Sequence, residues 1–592
     1  MALTHPEFQI LNSLRTASNA TQREIARETE LSLGVINKNL RELQLKGLVK
    51  DSELTEAGLQ ALEPYRVKHA IILAAGLSSR FAPLSYERPK GLLKARGEVM
   101  IERQIRQLQE AGITDITIVV GYMAELFFYL EDKFGVKIVV NPDYATKNNT
   151  SSIYRVRDRI SNAYICSSDN YFTVNPFEPF VYRSYYSAVY QSGKTDEWCM
   201  TTRGKQRLIT KVTIGGENAW VMLGPAYWDD SFATTFRDIL EKEFPKPATD
   251  RKLWEHLYIE HLPELPMTMK PYTDGAILEF DSLTEMQDFD PEFMDNVDSR
   301  ILDNITQVLG CERSEITDFY PIKTGITNLS CHFAVRGEEY VYRYPGLGTE
   351  KMINRQNELQ ALHLARDLGL DSTFIQGDPK TGWKISRFIP NARNLDPHDQ
   401  AEVAQAMQLA RRLHTSGATL LNSFDFYQAG LGYEELFFSL NAPIPHGYDE
   451  LKQKITTIYE YTLADDSSRC ICHNDFFHLN LLVDEDANIS LIDWEYAGMG
   501  DEANDFGTFC VCCQLAPDEI ENALEAYFGR KPSLEERRHY WAHIVLAGWC
   551  WYVWALAKEA QGGNVGEWLY IYYSYARKFA QKVLNSYESS EQ

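Results

Sequence analysis

The stretch "RCICHNDFFHLNLLVDEDANISLIDWEY", residues 469–496, brings Cys470, Cys472, His473, Asp475 and His478 into nine positions. Structural zinc usually takes two separated ligand pairs. Here a Cys-x-Cys stands beside one His and no second pair follows nearby, which argues against zinc. Phosphoryl transfer accounts for the pattern better. Asp475 in a loop can accept the proton of a substrate hydroxyl. Asn480, five residues on, and Asp493, delivered by a hairpin with "DEDAN" as its turn, can hold a metal ion on the phosphates. A second stretch, "ILAAGLSSRFAPLSYERPKGLLKARG", starts at Ile72 and suits another phosphate chemistry. A strand runs into Ala74, Ala75 and Gly76, whose small side chains let backbone N–H groups approach a triphosphate. Arg80 and Lys90 are placed to neutralise it.

These groups need elements to carry them. A chain of 592 residues is too long for one core, so several domains are expected. Residues 1–67 read as short helices and a ribbon. Thr21 and Glu24 form a capping box, and "LVKDSELTEAG" reads as a wing before a last helix. From residue 68, "HAIILAAG", "DITIVVGY", "KIVVNPDY" and "AYICSSDN" read as strands alternating with helices such as "MIERQIRQLQEAGI". Such alternation predicts a doubly wound parallel sheet, continuing less regularly to about residue 290. The third region, 293–592, opens with strands around 316–345 and turns largely helical, apart from the 470–496 stretch. The fold class is therefore multidomain: a small α(+β) winged helix at 1–67, an α/β doubly wound domain at 68–292 and an α+β domain at 293–592.

The middle domain resembles the sugar-phosphate and amino-alcohol nucleotidyltransferases, on Leu-Ala-Ala-Gly-x-x-x-Arg-Phe followed by Pro-Lys. The resemblance implies attack of a phosphate oxygen on the α-phosphate of a nucleoside triphosphate, with Mg²⁺ held by Asp169 of "CSSDNYF" and by Asp281, chosen from "AILEFDSLTEM". "NPDYATKNNTSSIYRVRD" resembles bacterial phosphocholine cytidylyltransferases, which places Asn148, Asn149 and Ser152 on the substrate side and makes CTP the nucleotide. Tyr190, Trp198, Trp220, Tyr227, Trp228 and Trp254 are available for a trimethylammonium head, which aromatic faces and a carboxylate can hold.

In the third domain, His473-Asn-Asp475 with Asn480 and Asp493 has the spacing of protein kinases. Gly-Ile-Thr-Asn with Thr327 and Asn328, then Arg343 in Arg-x-Pro-Gly, then Glu358, then Ile-Asp-Trp-Glu-Tyr, resembles choline and ethanolamine kinases. The resemblance implies a phosphate-covering loop at Thr327 and Asn328 and an Arg343–Glu358 pair facing ATP. It also implies that Glu495, Trp551, Trp554 and Tyr575 enclose choline. His473 is expected to support the turn, and Cys510, Cys512 and Cys513 to be packing residues. Together the two resemblances imply phosphorylation of choline with ATP to phosphocholine, followed by CMP transfer from CTP to give CDP-choline and pyrophosphate, serving phosphocholine decoration of surface glycans. Ethanolamine or another amino alcohol, a sugar-phosphate transferase fused to an unrelated kinase, and a DNA-binding sensor stay open.

The N-terminal module resembles MarR-like winged helices, with Lys38 and Arg41 on the recognition helix. Its nine Lys/Arg balance nine Asp/Glu over residues 1–68, where a DNA reader shows a basic excess. DNA is thus a less favoured partner than dimerisation or sensing. The net charge of −24 does not attract nucleic acid or anionic lipid to the whole chain. Ten irregularly spaced cysteines and no basic-then-apolar start suggest a reduced, cytoplasmic protein. "YWAHIVLAGWCWYVWALA", residues 540–557, carries Trp throughout and has no basic flank, so a buried helix is expected rather than a membrane span.

Overall fold

The computed structural model describes residues 3–18, 20–322, 328–346 and 354–589. Thr327 lies outside them. The chain forms two compact units, residues 1–304 and 305–592.

The first unit begins with helices His5–Thr16, Gln22–Thr29 and Leu33–Leu45, the ribbon Val49–Lys50 with Glu53–Leu54, and helix Glu56–Leu62. Thr4 with Glu7 and Thr21 with Glu24 close capping boxes, satisfying N-terminal amides that would otherwise lack partners. The small core of this module is completed from outside it. Phe180 packs among Phe8, Ile10, Leu11 and Leu62. The guanidinium groups of Arg15 and Arg66 lie over the Phe180 ring at 4.8 and 4.5 Å. Tyr182 stacks on Tyr65 and donates its hydroxyl to the Leu3 carbonyl at 3.0 Å. The winged helix is therefore seated on the next domain. Truncating a buried Phe costs about 3–5 kcal/mol. Phe180→Ala is accordingly expected to loosen the module, and limited proteolysis should cut residues 3–66 faster with the seven-stranded sheet domain intact.

The second part of this unit is a seven-stranded sheet. His69–Ala74 is an inner strand, parallel to Ile116–Val120 on one side and to Ala163–Ser167, the middle strand of the seven, on the other, with Lys137–Val140 beyond Ile116–Val120. All four match the strands expected from sequence. The expected βα alternation stops after Ala163–Ser167. Tyr185–Arg203 and Leu208–Trp228 form a long antiparallel hairpin instead, and Leu208–Trp228 pairs antiparallel with Ala163–Ser167. A short strand, Ile277–Glu279, returns to pair with Asn170–Phe172.

The second unit opens with a five-stranded antiparallel sheet, ordered Ile316–Ile322, Asn328–Val335, Glu338–Pro345, Lys384–Arg387, Phe374–Gly377, with helix Arg355–Asp367 following the third strand in sequence. A helical part follows. Its longest helix, Leu534–Ala560, contains the apolar stretch and is buried along residues 539–553. Among the described residues no helix is long and apolar enough to cross a membrane.

Candidate active sites

In the first unit, Ala74, Ala75 and Gly76 leave the C-terminal end of this inner parallel strand, the end where open α/β sheets bind ligands. They line a cavity of about 230 Å³ with Lys90, Asn148, Asn149, Ser152 and Asp169. The buried Lys90 ammonium lies 2.9 Å from Asp169 Oδ2. Burial alone would raise the Asp169 carboxyl, but the Lys90 charge overrides it and holds the group below the usual carboxylate range. The other oxygen, Oδ1, is buried with no hydrogen-bond partner. Arg80 and Asp281 do not line this cavity; they pair with each other at 2.7 Å.

Glu279 was not singled out by sequence. Its register partner is Asn170, the residue after Asp169, and Asn170 Nδ2 donates to Glu279 Oε2 at 3.2 Å. The surrounding protein, and then the Asp169 charge, push the Glu279 carboxyl up to about 8. An orphaned carboxylate oxygen beside a second carboxyl that resists ionisation is what a hard divalent cation relieves. The Glu-x-Asp spacing of "EFD" was the available signal, and it offered two acids to choose from.

The substrate side of this cavity holds Tyr144, Tyr186, Trp254 and Glu255. Asn149 positions the last two: its Oδ1 accepts from the Trp254 amide at 2.7 Å and its Nδ2 faces Glu255 Oε2 at 3.4 Å. Tyr186 stacks on Trp254 with 5.7 Å between ring centres and faces Glu255 through its hydroxyl. Burial raises the Glu255 carboxyl to about 7. Of the aromatic residues named from sequence, only Trp254 lines the cavity. Tyr227 and Trp228 are core, and Tyr190 and Trp220 pack on each other along the hairpin.

In the second unit, Arg343, Asn328, Lys384, Asp371 and Asp493 line a cleft of about 450 Å³ beside the antiparallel sheet. Arg343 Nη2 pairs with Glu358 Oε1 at 2.5 Å and Nη1 reaches Asp493 Oδ1 at 3.5 Å. Asn480 Nδ2 donates to the Asp475 carbonyl at 2.9 Å and to its Oδ2 at 2.8 Å, which fixes the carboxylate. Burial and the nearby Asp493 push the Asp475 carboxyl up to about 7. Burial and Asp493 also raise Glu495, to about 8, while Asn328 Nδ2 donates to its Oε2 at 3.3 Å. Asp475, Asp493 and Glu495 thus crowd one region with like charge, again suited to a bound cation.

His473 is buried and bridges the two halves of this site. Its Nε2 donates to the Ile492 carbonyl at 3.0 Å, and its Nδ1 faces the Asp475 amide at 3.3 Å. The buried Asp505 carboxylate accepts from the His473 and Asn474 amides at 2.9 and 2.6 Å and faces His414 Nε2 at 3.0 Å. Leaving a buried donor unpaired costs about 1–3 kcal/mol. Asp505→Ala orphans three donors, so the second unit should lose about 3 kcal/mol or more, read as an earlier unfolding transition. The would-be zinc ligands do not converge. Cys470 and Cys472 sit 3.8 Å apart, whereas His478 turns to Cys513. His414 does approach the two thiols, with Tyr527 and Asp505 at its two ring nitrogens.

Trp551 and Trp554 stand perpendicular at 6.0 Å, and Tyr496 meets Trp551 edge-on at 5.7 Å. Tyr575 does not join them. Its hydroxyl donates to the Leu515 carbonyl at 2.8 Å and its ring packs on Phe579. Tyr572, one turn earlier on helix Trp568–Glu588, is the tyrosine that feels the charge of Asp475 and neighbours Tyr496. Helical spacing let either residue face the site, and only the packing chooses.

A small-residue turn beside a Lys–Asp pair, and a loop Asp fixed by an Asn across from a hairpin Asp, define a nucleotidyltransferase and a kinase-type phosphotransferase. Known proteins agree in both places. Residues 70–241 match the MobA-like NTP transferase domain, 320–540 the phosphotransferase enzyme family, and 3–50 a winged helix-turn-helix DNA-binding family. The choline-phosphate cytidylyltransferase of Streptococcus pneumoniae is 33% identical over 216 residues, which are 36% of this chain and 94% of that protein. The 2-aminoethylphosphonate cytidylyltransferase of Lancefieldella rimae is 33% identical over 226 residues, 38% and 92% of the two chains. A probable choline kinase 3 of Arabidopsis thaliana is 26% identical over 222 residues, 36% and 61% of the two chains. The chain therefore belongs to the cytidylyltransferase family and carries a phosphotransferase-family domain after it.

Proposed function

We propose that this chain phosphorylates choline with ATP and then joins the phosphocholine to CMP from CTP, giving CDP-choline and pyrophosphate. The observation that carries the reading is a shared one: each site sets aromatic rings near a carboxyl that its surroundings raise. Tyr186 and Trp254 stand with Glu255 in one; in the other Tyr496, which feels the Glu495 charge, meets Trp551, and Trp551 meets Trp554. A quaternary ammonium offers no N–H donor and is held by aromatic faces and a negative charge. Relatives that act on choline or its phosphate support each half.

In the kinase domain, Asp475 takes the proton of the choline hydroxyl as its oxygen bonds to the γ-phosphorus and ADP leaves. Asn480 holds Oδ2 and leaves the other oxygen for the proton. Arg343, kept in place by Glu358, faces the ATP phosphates, and we extend the phosphate-covering role to Thr327 and Asn328. In the cytidylyltransferase domain, backbone amides at Ala74–Gly76 cradle CTP. A phosphocholine oxygen attacks the α-phosphorus, and Lys90, with Arg80 at the rim, offsets charge developing on pyrophosphate. Asp169 with Glu279 or Asp281 in one site, and Asn480 with Asp493 in the other, would hold Mg²⁺, which would supply Lewis-acid stabilisation of the phosphates. The product would serve phosphocholine transfer to surface glycans.

The winged helix is assigned a structural or sensing role. Leu33 and Val35 are exposed on its recognition helix, and Lys38 pairs with Glu42 at 3.9 Å. Domain limits of 1–67, 68–292 and 293–592 go with this reading.

The test is incubation with choline, ATP, CTP and Mg²⁺, with products followed by mass. CDP-choline is expected, and absence of both phosphocholine and CDP-choline would sink the proposal. Parallel reactions with ethanolamine, and with 2-aminoethylphosphonate plus CTP alone, decide the acceptor; preference for either replaces choline.

A further inference from the structure

Behind the loop that carries Asp475 lies a cavity of about 250 Å³ that the proposed reactions do not use. None of Asp475, Asn480, Asp493 and Glu495 lines it. His543 and Asp501 do, and His539 stands one helical turn before His543, at i and i+4 on Leu534–Ala560, so the two imidazoles share a face. One ligating atom from each of Asp501, His539 and His543 lies within 4.8 Å of the others.

The hydrogen bonds settle which ring atoms are available. Asn504 Nδ2 is spent on Asn474 Oδ1 at 3.0 Å and faces the Phe424 carbonyl at 3.4 Å. Asn504 Oδ1, 3.1 Å from His543 Nδ1, is therefore the acceptor, and His543 carries its proton on Nδ1. His543 Nε2 then holds a lone pair. It is buried, has no hydrogen-bond partner, and faces Asp501 Oδ1 at 3.5 Å. Asp501 Oδ1 accepts from the Ala503 amide at 2.9 Å as well as from His539, so the unsatisfied atom is His543 Nε2, a buried lone pair that a cation beside Asp501 would fill. His539 donates Nδ1–H to Asp465 Oδ2 and Nε2–H to Asp501 Oδ1, both at 2.9 Å.

We propose that Asp501, His539 and His543 bind a divalent transition-metal cation of the zinc class. The cation replaces the Nε2 proton of His539, which leaves to solvent. Each imidazole then binds through Nε2 while its Nδ1–H stays on a fixed acceptor, Asp465 for His539 and Asn504 for His543. Metal-binding histidines are held in this way by a second layer of acceptors. Two imidazoles and one carboxylate are the ligand types of zinc, with the cavity giving room for water as a fourth ligand. Mg²⁺ prefers oxygen ligands only. Asn504 ties His543 to Asn474, next to Asp475, so the cation would brace the catalytic loop from behind.

The full chain is stripped with chelator, then dialysed against Zn²⁺ with millimolar Mg²⁺ present, and retained zinc is measured by elemental analysis. One equivalent per chain is expected in the unchanged protein and none in His543→Gln or Asp501→Asn. Zn²⁺ should also raise the melting temperature of the unchanged protein and not that of the variants. With Co²⁺ instead, visible bands of a tetrahedral site should form without the near-ultraviolet thiolate charge-transfer band. Equal zinc retention in the unchanged protein and a folded variant overturns the proposal. So does a thiolate band, which would put the metal on Cys470 and Cys472 beside His414. Should neither variant fold, the cobalt spectrum of the unchanged protein decides alone.

Discussion

Asp475→Ala is expected to abolish phosphocholine formation from choline and ATP, while CDP-choline formation from added phosphocholine and CTP continues at its original rate. A positioned general base contributes about 10²–10⁴-fold, so the kinase rate should fall by at least that range. The site explains why the loss should be large. Asn480 pins one Asp475 oxygen and so sets the other for the proton, and the neighbouring carboxylates are engaged elsewhere. Asp493 is reached by Arg343, and Glu495 by Asn328. Truncation to Ala also removes one of the negative charges that raise Glu495. Asp475→Asn is the control for shape: it can keep the contact with Asn480 after an amide flip yet cannot take a proton. Both variants should lose the kinase reaction through kcat, because the aromatic residues proposed to enclose choline are untouched. A folded variant that lost both activities would refute two independent sites.

What could be read from the sequence divides along chain separation. Asp475, Asn480 and Asp493 are set by one loop and one hairpin, so their spacing carries their geometry. The Ala74–Gly76 turn is likewise local, since an apolar strand must end before its phosphate-facing amides. Glu279 and Glu255 were hidden for the opposite reason. Glu279 reaches Asn170 across 109 residues and Glu255 reaches Asn149 across 106. Only the pairing of Ile277–Glu279 with Asn170–Phe172, and the packing of helix Trp254–Glu260 near Asn149–Arg155, bring them in. The long hairpin was read as continued βα alternation because its aromatic content, from Tyr185 to Trp228, suggests a pocket as readily as two paired strands. Tyr575, named from the sequence, bonds to the Leu515 carbonyl, while Tyr572 one turn earlier lies toward Asp475. Residues three apart on a helix lie about 60° apart around its axis, and both faces here are apolar. The metal-like cysteines misled least, since pairs of ligands in one short stretch rarely surround an ion without a second segment.

The converse expectation concerns Asp169. Asp169→Asn should lower CDP-choline formation by about 10²–10³-fold or more, the range seen when one group that stabilises transition-state charge is removed. Phosphocholine formation from choline and ATP should be unchanged. Asp169 does two things in this pocket. Its Oδ2 holds the buried Lys90 ammonium at 2.9 Å, and its Oδ1 is buried and unpaired, free for a cation. The amide keeps the size of the side chain but supplies neither charge. A buried Lys90 without its counter-charge is also destabilised, so its reach toward the departing pyrophosphate weakens with the same change. The neighbouring acids then separate two pictures of the metal site. Asp281 is neutralised by Arg80 at 2.7 Å, while Glu279 stands beside Asn170 and feels Asp169 directly. Glu279→Gln should therefore approach the loss of Asp169→Asn, with Asp281→Asn costing less. The reverse order would place the ion with Asp281, with Arg80 leaving it when CTP binds. Raised Mg²⁺ should partly restore whichever variant has lost a true ligand, and should leave a variant with a merely rearranged pocket unimproved.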